Sequence, residues 1–170
     1  KPASHLLHFA DDLSNRGPDG RGFLSWSSSG ISVCQADPTQ HPGAVHFAHL
    51  RLSIIDIDAR SAQPMSYAND RYFLTFNGEI YNFVELREDL KRLGHQFQTQ
   101  SDTEVLLAAF AEWGVDCLEK LIGMFAFAIL DTERRVVTIA RDPFGIKPLY
   151  LARHQDGLAF SSEPTPLLRL

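Results

Sequence analysis

The sequence has little that would support a disulfide scaffold, a metal centre or a membrane anchor. Only two of its 170 residues are cysteine, Cys34 and Cys117, and they form no metal-binding or redox spacing. No apolar run approaches the ~20 residues a membrane span needs. Lys1 does not open a charged-then-apolar leader. Positive charge is short too: 16 Lys and Arg against 21 Asp and Glu give a net charge of −5, which excludes a basic nucleic-acid footprint. Seven histidines do not alter that balance at neutral pH, and neither His5/His8 nor His41, His46 and His49 follow a ligand spacing backed by carboxylates. What remains is an ordinary globular composition. Hydrophobic residues make up 44%, enough for a substantial core, and charged residues 22%, which argues against disorder. One domain is expected, in a reduced, cytoplasmic setting, with no membrane and no nucleic acid among its partners.

Apolar periodicity gives the order of elements. Leu6, Leu7, Phe9, Ala10 and Leu13 form a helical face, followed by turn residues at Asn15-Arg16-Gly17-Pro18-Asp19-Gly20. Residues 23–28 and 31–37 read as a hairpin around Ser29-Gly30, a polar loop covers 37–43, and a long strand falls within 45–56. Tyr72 to Phe76 is a short apolar strand. Asn82 to Gly94 predicts a helix, with Asn82 as cap, Glu85 three residues on, and Phe83, Leu86, Leu90 and Leu93 along one face. Residues 96–100 read as a short strand. Ser101-Asp102-Thr103-Glu104 has the pattern of a capping box opening a second helix that ends at Trp113-Gly114. A short helix over 116–121 follows, then strands at 124–131, 136–142, 149–154 and 158–162. Phe125-Ala126-Phe127-Ala128-Ile129-Leu130 is apolar throughout, so burial on both faces is expected. Strands, two helices and more strands predict an α+β chain with helices outside sheet layers. Both ends read as interrupted elements, which suggests part of a longer protein.

Chemistry concentrates at Asn77-Gly78-Glu79-Ile80-Tyr81-Asn82. Asn-Gly between apolar runs is a strong hairpin signal, yet Glu79-Ile80-Tyr81 is too short for a return strand before the helix. The other reading puts an amide, a glycine N–H and a carboxylate together at a strand end. The Asn77 amide and the Gly78 N–H can both donate to a tetrahedral oxyanion, each donor being worth about 3 kcal/mol of barrier. Arg51, in an otherwise apolar strand, is either an outward-facing strand residue or a bidentate clamp for a carboxylate. Glu79 and Asp102 are either solvated carboxylates or anions for an ammonium group, and Asp102 also suits a helix N-terminus. If Arg51, Glu79 and Asp102 converge, they fit an α-amino acid.

Six ordered segments carry a resemblance: Arg16-Gly17-Pro18-Asp19, Arg51 to Asp56, Asn77 to Asn82, Ser101 to Val105, Gly123 to Ala128, and Arg141-Asp142-Pro143-Phe144-Gly145-Ile146-Lys147-Pro148-Leu149-Tyr150. Together they resemble the class II glutamine amidotransferases, and most closely the N-terminal glutaminase domain of glutamine-hydrolysing asparagine synthetases. The resemblance implies the four-layer αββα sandwich of N-terminal nucleophile hydrolases, with residues 1–170 forming one amidotransferase domain. It implies that Arg51 and Asp102 hold the α-carboxylate and α-amino group of glutamine, that Leu52, Ser53, Ile54 and Ile55 line the pocket, that Asn77 and Gly78 form the oxyanion hole, and that Glu79 helps grip the substrate. The segment from Arg141 to Tyr150 is expected to be structural.

The resemblance further implies a nucleophilic cysteine with a free α-amino group, on a strand upstream of the first helix. Cys34, among Ile31 and Val33, and Cys117, beside Leu118 and Leu121, read as core residues. The 170 residues alone are therefore expected to be inactive, lacking the N-terminal strand and a downstream ATP-dependent synthetase domain. No metal or cofactor is expected in this domain, since there is no phosphate loop or dinucleotide fingerprint; ATP and Mg would belong to the synthetase domain. That domain, acting on aspartate or another carboxylate, is the expected partner besides glutamine, with a homodimer left open. The rival expectation is a catalytically inactive amidotransferase-like binding or regulatory module.

Overall fold

The apolar run at the start of the last third forms one of the two inner strands of the larger sheet. In the computed structural model, which describes residues 4–17, 19–34, 43–51, 61–154 and 157–169, β6 (Gly123–Asp131) is buried from Phe125 to Asp131. The chain divides into two compact units, Lys1–Ser53 with Pro148–Leu170, and Ile54–Lys147.

The first unit contains α1 (Ser4–Asp12), then β1 (Gly20–Ser27), β2 (Gly30–Cys34) and β3 (Val45–Arg51) in an antiparallel sheet of order β2-β1-β3. The expected β1–β2 hairpin is present but turns at Ser28-Ser29, one residue before the Ser29-Gly30 expected, because Gly30 already pairs with Ser27. The polar loop expected over 37–43 and the strand expected beyond Arg51 lie outside the described residues, apart from Gly43. β8 (Tyr150–His154) and β9 (Gly157–Ser161) form a second hairpin, followed by α4 (Pro164–Leu167). Phe47 of β3 meets Phe160 of β9 edge to face at 5.7 Å. Arg16–Glu163 and Arg169–Asp12 tie the two sequence-distant halves of the unit at 3.0 and 2.9 Å.

The second unit is a four-stranded antiparallel sheet, β4-β5-β6-β7, with β4 at Met65–Tyr67, β5 at Tyr72–Ile80 and β7 at Val136–Arg141. Helices α2 (Phe83–Arg92) and α3 (Asp102–Trp113) follow β5. Leu74, Phe76 and Ile80 of β5 and Phe125, Phe127 and Ile129 of β6 form one core with Leu86, Leu90, Val105, Leu106 and Ala109 of the helices. The alternation on the strands and the helical spacing on α2 thus meet at one interface.

Four local expectations are corrected. Asn77-Gly78 is not at a strand end, because β5 continues through it to Ile80, paired with Gly123. Residues 96–100 are not a strand; the N–H groups of Gln98 and Thr99 donate to the Glu104 carboxylate at 2.8 Å each instead of to a neighbouring strand. Glu104 is thereby drawn away from the capping box, although Ser101 does cap α3, accepting from the Thr103 N–H at 3.0 Å. Asn82 sits at the start of α2 without capping it: its side chain accepts from Ile122 N–H and donates to the Lys120 carbonyl, both at 2.9 Å.

The segment after β7 has the structural role its sequence suggests. The buried Asp142 carboxylate accepts from the N–H groups of Phe125, Ile146 and Lys147 at 3.2, 2.9 and 3.0 Å. Arg141 closes the same loop onto the carbonyls of Gly145 and Lys147, both at 2.6 Å, and Gly145 takes a φ of +65°. Burial pushes the Asp142 carboxyl up, but the donated N–H bonds outweigh it and hold it below the usual carboxylate range. A depressed folded-state pKa contributes stability that is present above the ordinary carboxylate range and lost as pH falls through the folded value. Asp142→Asn is therefore expected to lower stability at neutral pH and to remove part of the acid limb of the stability–pH curve below about pH 4; chemical denaturation from pH 2 to 7 reads both.

Candidate functional site

The direction of the β5 backbone decides what this region can do. In an antiparallel pair, residues alternate between those that exchange hydrogen bonds with the partner strand and those whose N–H and C=O point away. Tyr81 N–H donates to the Ile122 carbonyl at 2.7 Å, which sets the odd-numbered residues of this stretch toward β6. Phe125, opposite Gly78, spends its own N–H and C=O on Asp142, on the far side of β6. The N–H groups of Phe76, Gly78 and Ile80 therefore face the β4 side. β4 pairs only as far as Leu74, so this stretch of edge is open among the described residues.

Two side chains close that edge on either side of Gly78. Gln63 Oε1 accepts from the Phe76 N–H at 2.7 Å, and Asp102 Oδ2 accepts from the Ile80 N–H at 3.0 Å. The Gly78 N–H lies between them. Gly78 cannot be replaced without displacement: a Cβ there would run into the Met124 carbonyl oxygen and lie 2.8 Å from Phe125 Cα. Asn77 and Glu79 stand on the sheet face opposite the helices, beside Ala126 and Met124.

Asp102 is 4% exposed at the first turn of α3. Burial raises its pKa, and the nearby Glu79 charge raises it further, against the lowering effect of hydrogen bonds from Ile80 and Thr103. The structure thus brings Asn77, Gly78, Glu79 and Asp102 together in the second unit. Arg51 belongs to the first, where it ends β3 opposite Gly20 and its carbonyl accepts from Asp19 N–H at 3.0 Å. Leu52, Ser53, Ile54 and Ile55 lie outside the described residues. Sequence reasoning missed Gln63, which has no pattern to mark it. His49 lies two residues before Arg51 and so on the same face of β3. Burial and the Arg51 charge push His49 down to about 4, which keeps it neutral near pH 7.

Cys117 lacks the surroundings of a nucleophile, and Cys34, expected in the core, is only half-buried. Cys34 pairs with Phe23 on β2, the edge strand of its sheet. Cys117 is fully buried, and burial followed by the Asp116 charge pushes its thiol up to about 12. Iodoacetamide at pH 8 is expected to leave Cys117 unmodified in the folded protein and to modify it after denaturation, as read by peptide mass spectrometry. Among the described residues no group of three His, Cys, Asp or Glu side chains could hold a metal ion, and no helix is long and apolar enough to cross a membrane.

A family model described as a glutamine amidotransferase domain matches residues 1–170. The chain belongs to the glutamine amidotransferase domain family. Among curated relatives, it is 44% identical over 156 residues to asparagine synthetase [glutamine-hydrolyzing] 1 of Bacillus subtilis, covering 92% of this chain and 22% of that protein. It is 46% identical over 174 residues to a putative asparagine synthetase [glutamine-hydrolyzing] of Mycobacterium tuberculosis, covering 99% of this chain and 24% of that protein. The chain thus spans about a quarter of the length of these relatives. Among solved structures, the glutamine phosphoribosylpyrophosphate amidotransferase of B. subtilis superposes with a TM-score of 0.79 at 23% identity, over 92% of this chain and 38% of that one. The α+β class expected from the sequence is present, and this domain shares its fold with that amidotransferase.

Proposed function

We propose that this domain hydrolyses glutamine to glutamate and ammonia within an asparagine synthetase-like enzyme. The observation that carries the proposal is the open edge of β5 at Gly78, with the buried Asp102 carboxylate beside it, in a chain that matches the amidotransferase family along its whole length. The nucleophile is a cysteine at the start of the mature polypeptide, ahead of α1. Its thiolate attacks the side-chain amide carbon of glutamine, and its own α-amine passes the proton to the departing ammonia. The Gly78 N–H and the Asn77 side chain donate to the oxyanion formed in that step. Water then hydrolyses the γ-glutamyl thioester and releases glutamate.

Asp102 and Glu79 attract the α-ammonium group of glutamine. This domain needs no cofactor. The ammonia goes to a C-terminal synthetase domain of the same polypeptide, where ATP and Mg activate the acceptor, aspartate. The high identity to glutamine-hydrolysing asparagine synthetases favours that acceptor over those of amidotransferases that share only the fold. A cytoplasmic location fits this chemistry. The surroundings of Cys34 and Cys117 favour a second reading, a catalytically inactive module that binds an amino acid or a partner.

The test is transfer of label from amide-¹⁵N glutamine in the full-length protein supplied with aspartate, ATP and Mg. Labelled asparagine and one equivalent of glutamate are expected. Asparagine formed from free ammonia but never from glutamine would favour the inactive module.

A further inference from the structure

Arg87 is buried, 7% exposed, in the middle of α2, and none of the described ion pairs involves it. Its guanidinium donates to the carbonyls of Thr99 and Ser101, at 2.6 and 3.1 Å, and lies over the rings of Phe97 and Phe83 at 4.8 and 6.0 Å. Burying a cation is costly, and an apolar side chain of similar volume would fill the space at lower cost. What an apolar side chain could not do is hold two carbonyls in a fixed plane. The second of these is the Ser101 carbonyl, half of the peptide group that continues into Asp102. Glu104 holds the other end of the loop, accepting from the N–H groups of Gln98 and Thr99 and from the Thr99 hydroxyl. Among the described residues the loop has no strand partner, so these buried charges set its course and, through it, the position from which Asp102 reaches the edge of β5.

We infer that Arg87 is a positioning residue for recognition of the substrate's α-amino group, acting on Asp102 through the Ser101 carbonyl. The inference rests on the proposed glutamine site and adds to it a residue outside the site. A small displacement of a binding carboxylate is enough to matter, since misplacement of about 1 Å can cost up to a hundredfold.

The experiment compares kcat/KM of the full-length protein on glutamine and on 4-carbamoylbutanoate, the same amide without the α-amino group. Wild type is expected to prefer glutamine. R87K keeps the charge but loses the planar fork; it should reduce that preference about tenfold, through a higher KM for glutamine, with the analogue unaffected. Should R87K fail to fold, R87Q is read in the same way. Equal losses on both substrates, or a preserved preference, would make Arg87 purely structural and overturn the inference while leaving the glutamine site intact. A wild-type protein that hydrolyses both amides equally removes Asp102 from amine recognition, and the inference goes with it. A wild-type protein that hydrolyses neither overturns the proposed function first.

Discussion

Asp102→Asn is expected to weaken glutamine binding by about 3 kcal/mol, on the order of a hundredfold, while making the unliganded protein more stable at neutral pH. The two effects have one cause. The Asp102 carboxylate is buried, its pKa raised first by that burial and then by the Glu79 charge. A raised folded-state pKa means that folding favours the protonated form. The stability associated with that proton is fully present below the ordinary carboxylate range and is lost as pH rises through the folded value. At neutral pH the ionised side chain therefore costs stability, and its charge is left for a ligand to neutralise. Asparagine keeps an oxygen that can accept from the Ile80 N–H, so the local geometry survives while the charge does not. Thermal unfolding of the two proteins should diverge near pH 7 and converge in acid. Calorimetric titration should show wild-type affinity for glutamine falling as pH drops through the raised Asp102 pKa, and little such dependence in the variant. A variant that binds glutamine normally would remove Asp102 from the site.

Gly78→Ala is expected to destabilise the second unit by about 3 kcal/mol, the upper end of ordinary over-packing. The atoms in the way are the Met124 carbonyl oxygen and Phe125 Cα, both backbone, together with the Phe76 ring at 2.5 Å, so flexible side chains cannot absorb the clash. For a chain of this size that corresponds to a fall in melting temperature on the order of 10 °C. The alanine N–H is still a donor, but it is displaced with the strand, and glutamine hydrolysis should fall even below the temperature at which the variant begins to unfold. An unchanged melting temperature would show that β5 and β6 lie further apart at Gly78 than described above.

Glycine at this position illustrates what was legible in the sequence. Asn77-Gly78 announces itself as chemistry or as a turn, but the reason for glycine is that β5 lies against β6 there, a tertiary fact with no local signature. The apolar run of β6 and the amphipathic spacing of α2 could be read directly, because burial on two faces and on one face leave different periods. Residues 96–100 misled, because alternating polar and apolar residues look like a strand. The deciding partners, Arg87 and Glu104, lie on separate helices, and a period cannot report them. Asn82 likewise fits a cap by type and position, yet a tertiary contact to Ile122 and Lys120 claims its side chain. At the candidate site, the adjacency of Asn77, Gly78 and Glu79 and the place of Asp102 at the start of α3 were readable. That the Gly78 N–H faces an edge left open among the described residues was not, because it depends on how far the three-residue β4 extends along β5.

The central claim is that this domain presents an oxyanion-stabilising edge to a glutamine amide attacked by a cysteine at the start of the mature polypeptide. The measurement that tests it most directly is intact and peptide mass spectrometry of the protein from its native source, quenched in acid while turning over glutamine. A first-residue cysteine carrying a γ-glutamyl thioester is expected, with Cys34 and Cys117 unmodified. A native polypeptide that begins at Lys1 and carries no adduct would contradict it.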